Sequence, residues 1–234
     1  MKNTTKKLLI SLIFLPMLAL ANTAAITVTA PIDANDYASL QRGARTFVNS
    51  CLNCHSANYM RYNRLKDIGL TEAQIKDNLL FAGEKVGDTM KTAMNPKDAK
   101  KWFGVAPPDL SVEVRARGAD WVYAYMRGFY RDSTTPTGWN NTVYDKVAMP
   151  HVLYELQGEQ VMNHETHKLE LVKPGKLSPS EYNTLVGDLT NYMAYMAEPA
   201  KQQRKQIGWW ALLFLGLLLV FAIILKKEYW KDIK

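Results

Sequence analysis

The 234-residue chain contains only two cysteines and four histidines. Zinc held at the cysteines would need two further strong ligands, yet His151, His164 and His167 lie far along the chain. No internal repeat and no low-complexity tract appears. Mean hydropathy is slightly negative, which excludes a protein that crosses a membrane many times. An Arg-rich amphipathic leader is also missing, so bacterial export is favoured over import into an organelle. No βαβ pattern surrounds the cysteines, as a thioredoxin-like redox pair would require. Nor is there a concentrated basic stripe of the kind that tracks nucleic acid, so no nucleic-acid partner is expected.

Two apolar segments stand out against that background. Lys2, Lys6 and Lys7 precede the run Leu8–Leu20, and Ala19-Leu20-Ala21 offers small residues for cleavage. A basic start, a short apolar run and an A-x-A site make residues 1–21 a signal peptide, since a run of this length is too short to span a bilayer comfortably. The second segment, Ile207–Leu225, has 19 residues without a charge and is long enough to cross once. Trp209 and Trp210 stand at one end, and Tyr229 and Trp230 lie beyond the other, where amphipathic rings favour the headgroup layer. The lysines of the tail 226–234 agree with a cytoplasmic C-terminus.

The chain carries 29 Lys and Arg against 22 Asp and Glu, a formal charge of +7. Most of that excess belongs to the two membrane-flanking ends. Residues 22–206 hold 22 basic and 20 acidic side chains and form the exported domain. That length suffices for one sizeable core.

Within it, Tyr37, Leu40, Ala44, Phe47, Val48 and Cys51 recur at helical spacing, so a helix should end near the cysteines. Thr71 and Gln74 form a potential capping box for a helix near 71–82. Residues 83–108, rich in glycine and proline, read mainly as loop. A helical face follows over Asp120–Tyr130, and residues 131–150 are rich in turns. Val152–Gln157 and Lys168–Val172 could pair as a small hairpin. Ser178-Pro179-Ser180-Glu181 opens a final soluble helix that runs to Pro199. The expected fold is mainly α, with long loops, a small hairpin and one C-terminal transmembrane helix.

Both cysteines fall in Cys51-Leu52-Asn53-Cys54-His55. C-x-x-C-H is the haem c attachment signature: each thiol adds across a vinyl group, and the adjacent imidazole reaches the iron. One covalent haem c is therefore expected. A thioether as the sixth ligand would stabilise ferrous iron and suit electron transfer. Met60, Met126, Met193 and Met196 lie on or beside apolar faces and read as core. Met149, in a turn-rich stretch beside Pro150, is the better candidate, with Met90, Met94, Met162 and His151 as alternatives.

Gly43, Phe47, Cys51, Cys54 and His55 resemble the N-terminal helix of small c-type cytochromes, in which glycine permits a close crossing with the C-terminal helix. More specifically, Ala106-Pro107-Pro108-Asp109-Leu110-Ser111, Val114-Arg115-Ala116-Arg117, Asp188-Leu189 and Met196-Ala197-Glu198-Pro199 resemble the cytochrome c1 family. The resemblance runs from about residue 35 to the C-terminus. It implies that Met149 is the distal ligand, that Arg117 pairs with a haem propionate, and that a carbonyl of Pro107 or Pro108 orients His55. Trp121 stands where the family often has Tyr. The segment 83–104 looks shorter than in mitochondrial relatives and 155–177 longer, so loop contacts do not transfer.

The resemblance further implies an electron-transfer subunit of a bacterial ubiquinol:cytochrome c oxidoreductase (bc1 complex), with no quinol site and no catalytic acid or base of its own. Its partners would be a cytochrome b subunit, a Rieske iron–sulfur protein as donor and a c-type cytochrome as acceptor. The haem domain would face the periplasm from the inner membrane. A stand-alone membrane-anchored shuttle cytochrome is the nearest alternative. A haem gas sensor or peroxidase, or a thiol–disulfide enzyme, would belong to other classes.

Overall fold

The computed structural model describes residues 26–163 and 165–232; the expected signal peptide lies outside them. Helix α1, Tyr37–Thr46, begins where the Asp36 carboxylate accepts a hydrogen bond from the Ser39 amide at 2.9 Å. It continues into a wider π-helical turn, Phe47–Cys51, that buries Phe47, Val48 and Cys51. A 3-10 turn covers Tyr62–Ile68, and α2 spans Glu72–Asn78 behind the Thr71/Gln74 capping box. Then come α3 (Pro96–Phe103), α4 (Glu113–Arg117), α5 (Ala119–Arg127) and the one-turn α6 (Tyr154–Gln157). Helix α7, Pro179–Ala197, starts with a capping box between Ser178 and Glu181 and with proline in its first turn.

The α1–α7 crossing organises the core. A Cβ on Gly43 would lie 2.0 Å from the Asp188 carbonyl oxygen and 2.7 Å from Tyr192 Cβ, so only glycine fits there. Arg42 donates to both Asp188 carboxylate oxygens, at 2.6 and 2.9 Å, which fixes the rotation of the pair. Phe47 and Tyr192 pack with ring centroids 5.6 Å apart. Helices α4 and α5 also rest on α7, and the buried Tyr182 hydroxyl donates to the Met126 carbonyl at 2.8 Å. Met60, Met126, Met193 and Met196 all lie in the core.

Three antiparallel strand pairs attach to this frame. β1 (Ala57–Arg61) pairs with β2 (Thr89–Met90), β3 (Phe129–Arg131) with β4 (Trp139–Asn141), and β5 (Gly158–Asn163) with β6 (Lys168–Pro174). The fold is mainly helical, as the periodicity predicts, but three details differ. The 83–108 stretch is not simply loop. Its Asn95 caps α3 by accepting from the Lys97 amide at 2.8 Å, Pro96 takes the first helical position, and Gly104 ends the helix at φ 78°. There the expected breakers serve as the boundaries of a helix.

The hairpin exists, but its first strand starts at Gly158 rather than Val152, because residues 154–157 close a helical turn. Gly158 has φ 93°, and a Cβ there would sit 2.2 Å from the Lys173 carbonyl oxygen, so the strand entrance requires glycine. The 120–130 segment is helical only to Arg127 and then becomes β3.

Helix α8, Lys201–Tyr229, contains Ile207–Leu225 and has a mean hydropathy of 2.6 over its most apolar window, none of which is buried. At 1.5 Å per residue, the uncharged run covers about 28 Å, close to the hydrocarbon thickness of a bilayer. It fits a single transmembrane anchor. An ion pair between Arg204 and Glu198 spans the junction with α7.

Gly43→Ala should lower the stability of the domain by about 1–3 kcal/mol or more, because neither Asp188 nor Tyr192 can retreat without parting α1 from α7. Chemical denaturation monitored by tryptophan fluorescence measures the loss; an unchanged midpoint would contradict the close crossing.

Candidate functional site: the cysteine–histidine turn and the Met149 wall

The π-helical turn delivers Cys51 into the interior and then closes tightly. The Cys54 and His55 amides both donate to the Cys51 carbonyl, at 3.1 and 2.9 Å. Cys51 and His55 are buried, while Cys54 is partly exposed. Burial pushes the Cys51 thiol up to about 12, with the neighbouring Cys54 adding to the rise, and burial raises Cys54 too. A thiol–disulfide enzyme needs the opposite, a depressed thiol. The two thiols therefore lack the activation that thiol–disulfide exchange requires.

His55 Nδ1 lies 2.8 Å from the Pro108 carbonyl oxygen. A carbonyl can only accept, so Nδ1 carries the proton and Nε2 keeps its lone pair. Burial lowers the imidazole's pKa, with the Pro108 bond acting in the other direction. The result is a neutral ring presented through Nε2, the form that ligates a metal.

The segment that carries Pro108 is stapled to the same turn. The Leu110 amide donates to the Ser56 carbonyl at 2.8 Å. Asp109 accepts from the Ser111 amide and from the Asn58 amide, each at 2.8 Å. Of the two prolines considered, the structure brings Pro108 to His55.

A second group of side chains comes from α4 and α5, where the Glu113 carboxylate acts electrostatically on His55. Arg117 donates through Nε to Glu113 at 2.6 Å, and its guanidinium carbon sits 4.5 Å from the Trp121 ring centroid. Trp121 stacks on Tyr125 at 4.9 Å with 11° between planes, and the Tyr125 hydroxyl reaches Met149 Sδ at 3.5 Å. Arg117 and Met149 thus belong to one continuous row of side chains. Helical spacing explains the Trp121–Tyr125 pair, four positions apart on α5, whereas Arg117 ends α4 and reaches Trp121 across the break at Gly118, φ 93°.

The other sulfur candidates have different surroundings. Met90 is fully buried and accepts from the Tyr192 hydroxyl at 3.4 Å. Met162 lies on β5, and Met94 lines a groove beside Cys54 together with Ser56, Thr92 and Pro107. His151 is buried with its ring parallel to Phe129, 4.7 Å away, and edge-on to Trp139. Burial lowers its pKa to about 4, so it is neutral.

Tyr125 and Glu113 are the participants that sequence reasoning missed. The signal for Tyr125 was its phenol: a buried tyrosine hydroxyl on an apolar helix face needs a partner. Nothing in the spacing identified that partner as a sulfur.

The donor set suits haem c: two thiols spaced C-x-x-C, a neutral imidazole held by Pro108 and a thioether oriented by a hydroxyl. No cluster of three or more His, Cys, Asp or Glu side chains that could hold a metal ion occurs among the described residues. Fold and donors together define a mainly helical, single-anchor protein of the c-type cytochrome class. The Cytochrome C1 family profile matches residues 27–82 and 81–233, and the chain belongs to that family.

Cytochrome c1 of Allochromatium vinosum is 52% identical, covering 88% of each chain. A Nitrosomonas europaea protein called ammonia monooxygenase gamma subunit is 51% identical over 97% of this chain and 98% of its own. The cytochrome b-c1 complex catalytic subunit of Candida albicans mitochondria is 24% identical, over 85% of this chain and 73% of its own.

Proposed function

We propose that this chain is the cytochrome c1 subunit of a bacterial bc1 complex, carrying one haem c bound covalently through Cys51 and Cys54. The observation that carries the reading is the His55–Pro108 hydrogen bond within a C-x-x-C-H turn, in a chain of the cytochrome c1 family. His55 would bind the iron through Nε2 and Met149 through Sδ. Arg117, its Nε paired with Glu113, would hold a propionate through its terminal nitrogens. The haem supplies a one-electron iron couple. The protein's own work is to fix both axial donors, exclude water from them and leave an edge near Cys54 accessible.

Residues 1–21 form the cleaved signal peptide and 22–206 the periplasmic domain. Residues 207–225 cross the inner membrane, and 226–234 form the cytoplasmic tail. Electrons arrive from the Rieske protein and leave to a c-type cytochrome, while quinol oxidation belongs to the cytochrome b and Rieske partners. The charge of Glu155 and Glu159, near the hairpin, is offset by bases. Glu155 pairs with Lys176, and Glu159 pairs with Arg131 and Lys173. Steering of the acceptor by a coherent field is accordingly weak.

The name of the Nitrosomonas relative favours a second reading, in which the chain serves an ammonia-oxidising assembly instead. Two protein-supplied axial donors suit electron transfer in either assembly. With both donors bound to the iron, no exchangeable position would remain for oxygen activation.

Two measurements test these readings. After gentle detergent extraction the chain should co-purify with cytochrome b and a Rieske protein; co-purification with monooxygenase subunits, or isolation alone, would overturn the bc1 assignment. Met149→Leu should lower the reduction potential and let ferrous protein bind carbon monoxide. Unchanged potential with continued refusal of carbon monoxide would exclude Met149 as ligand.

A further inference from the structure

The Met149-Pro150-His151 tripeptide is gripped at both ends by one stretch of chain. At one end the Tyr125 hydroxyl meets Met149 Sδ at 3.5 Å. At the other the His151 ring lies parallel to Phe129, 2° between planes and 4.7 Å away. Tyr125 and Phe129 are four residues apart and in edge-to-face contact at 5.1 Å. Tyr125 is itself held on its other side by Trp121, stacked under the Arg117 guanidinium. Its backbone carbonyl accepts from Asn141 Nδ2 at 2.8 Å, which ties the end of α5 to β4. The phenol therefore has little freedom to turn away. A thioether carries no polar hydrogen, so the hydroxyl is the donor in this contact.

A thioether sulfur has two lone pairs. If one is directed at a metal, the second is the acceptor for any hydrogen bond. From the Tyr125–Met149 contact we infer that Tyr125 is a positioning residue that holds the Met149 sulfur by that second lone pair and tunes its donor strength. This inference rests on the reading of Met149 as the axial ligand. The hydroxyl proton draws electron density from the sulfur, and the ferric state depends on that density more than the ferrous state does. The bond therefore raises the reduction potential, a hydrogen-bonding lever of the kind that tunes haem and other metal sites from just outside the ligand set. Trp121 and Phe129 serve to keep the phenol in place.

Tyr125→Phe, made in the full-length haem-loaded chain, keeps the ring stack and removes only the donor. The ratio of ferrous to ferric protein at a fixed potential should fall about two- to tenfold, the size of one hydrogen bond. The weak ferric absorption band of the sulfur–iron bond should shift as well. A merely structural tyrosine would move neither quantity. Met149→Leu separates the two failures. If that variant keeps the sulfur–iron band, the assignment of Met149 itself is wrong. If it loses the band while Tyr125→Phe leaves band and potential unchanged, only the role of Tyr125 is wrong. Should Tyr125→Phe fail to accumulate, the unmodified ferrous protein still decides by nuclear magnetic resonance. A slowly exchanging Tyr125 hydroxyl proton close to the Met149 methyl group supports the inference, and its absence overturns it.

Discussion

The contact between Gly43 and Asp188 sets the distance on which the rest of the domain depends. Two helices can approach this closely only where one of them lacks a side chain, and the Arg42 fork on Asp188 then fixes how they are turned. Helix α1 carries the cysteine–histidine turn at its end. Helices α4 and α5 carry Arg117, Trp121 and Tyr125. Both groups rest on α7, so one helix serves as the common reference for the two walls of the site. A change at the crossing would move His55 relative to Met149 without touching either residue.

The donors brought together by that frame are almost all neutral. His55 is held as an uncharged imidazole, the Cys51 and Cys54 sulfurs are uncharged whether thiol or thioether, and Tyr125 keeps its proton. The formal charges that act on His55 are Asp109, next to Pro108, and Glu113, which pairs with Arg117 where it covers Trp121. Largely uncharged donors suit a group that gains and loses a single electron. In such surroundings few dipoles need to reorganise when the charge changes. It does not suit acid–base or thiol chemistry, which requires groups with pKa values near the working pH.

Much of this was legible in the sequence wherever a local rule acts alone. The capping boxes at Thr71 and Ser178, the amphipathic faces of α1 and α7, and the apolar run of α8 were each found from spacing, and C-x-x-C-H singled out its chemistry without any fold. Failures came where one residue type has two meanings. Pro96 and Gly104 were counted as breakers when they mark the ends of α3. The hairpin strand was placed six residues early because Gly158, not the apolar pattern, decides where it begins. The role of Tyr125 was not legible, because its helical position says which face it occupies and nothing about what its hydroxyl meets. That partner comes from a loop 24 residues later, and long-range pairing of this kind is settled by packing.

The central claim is that this turn exists to hold a haem by covalent bonds, and mass spectrometry of the denatured, protease-digested mature chain tests it most directly. The account predicts that the peptide spanning Cys51 to His55 carries the full mass of one haem, attached at both cysteines. The same peptide found unmodified, with free thiols or an internal disulfide, would contradict it.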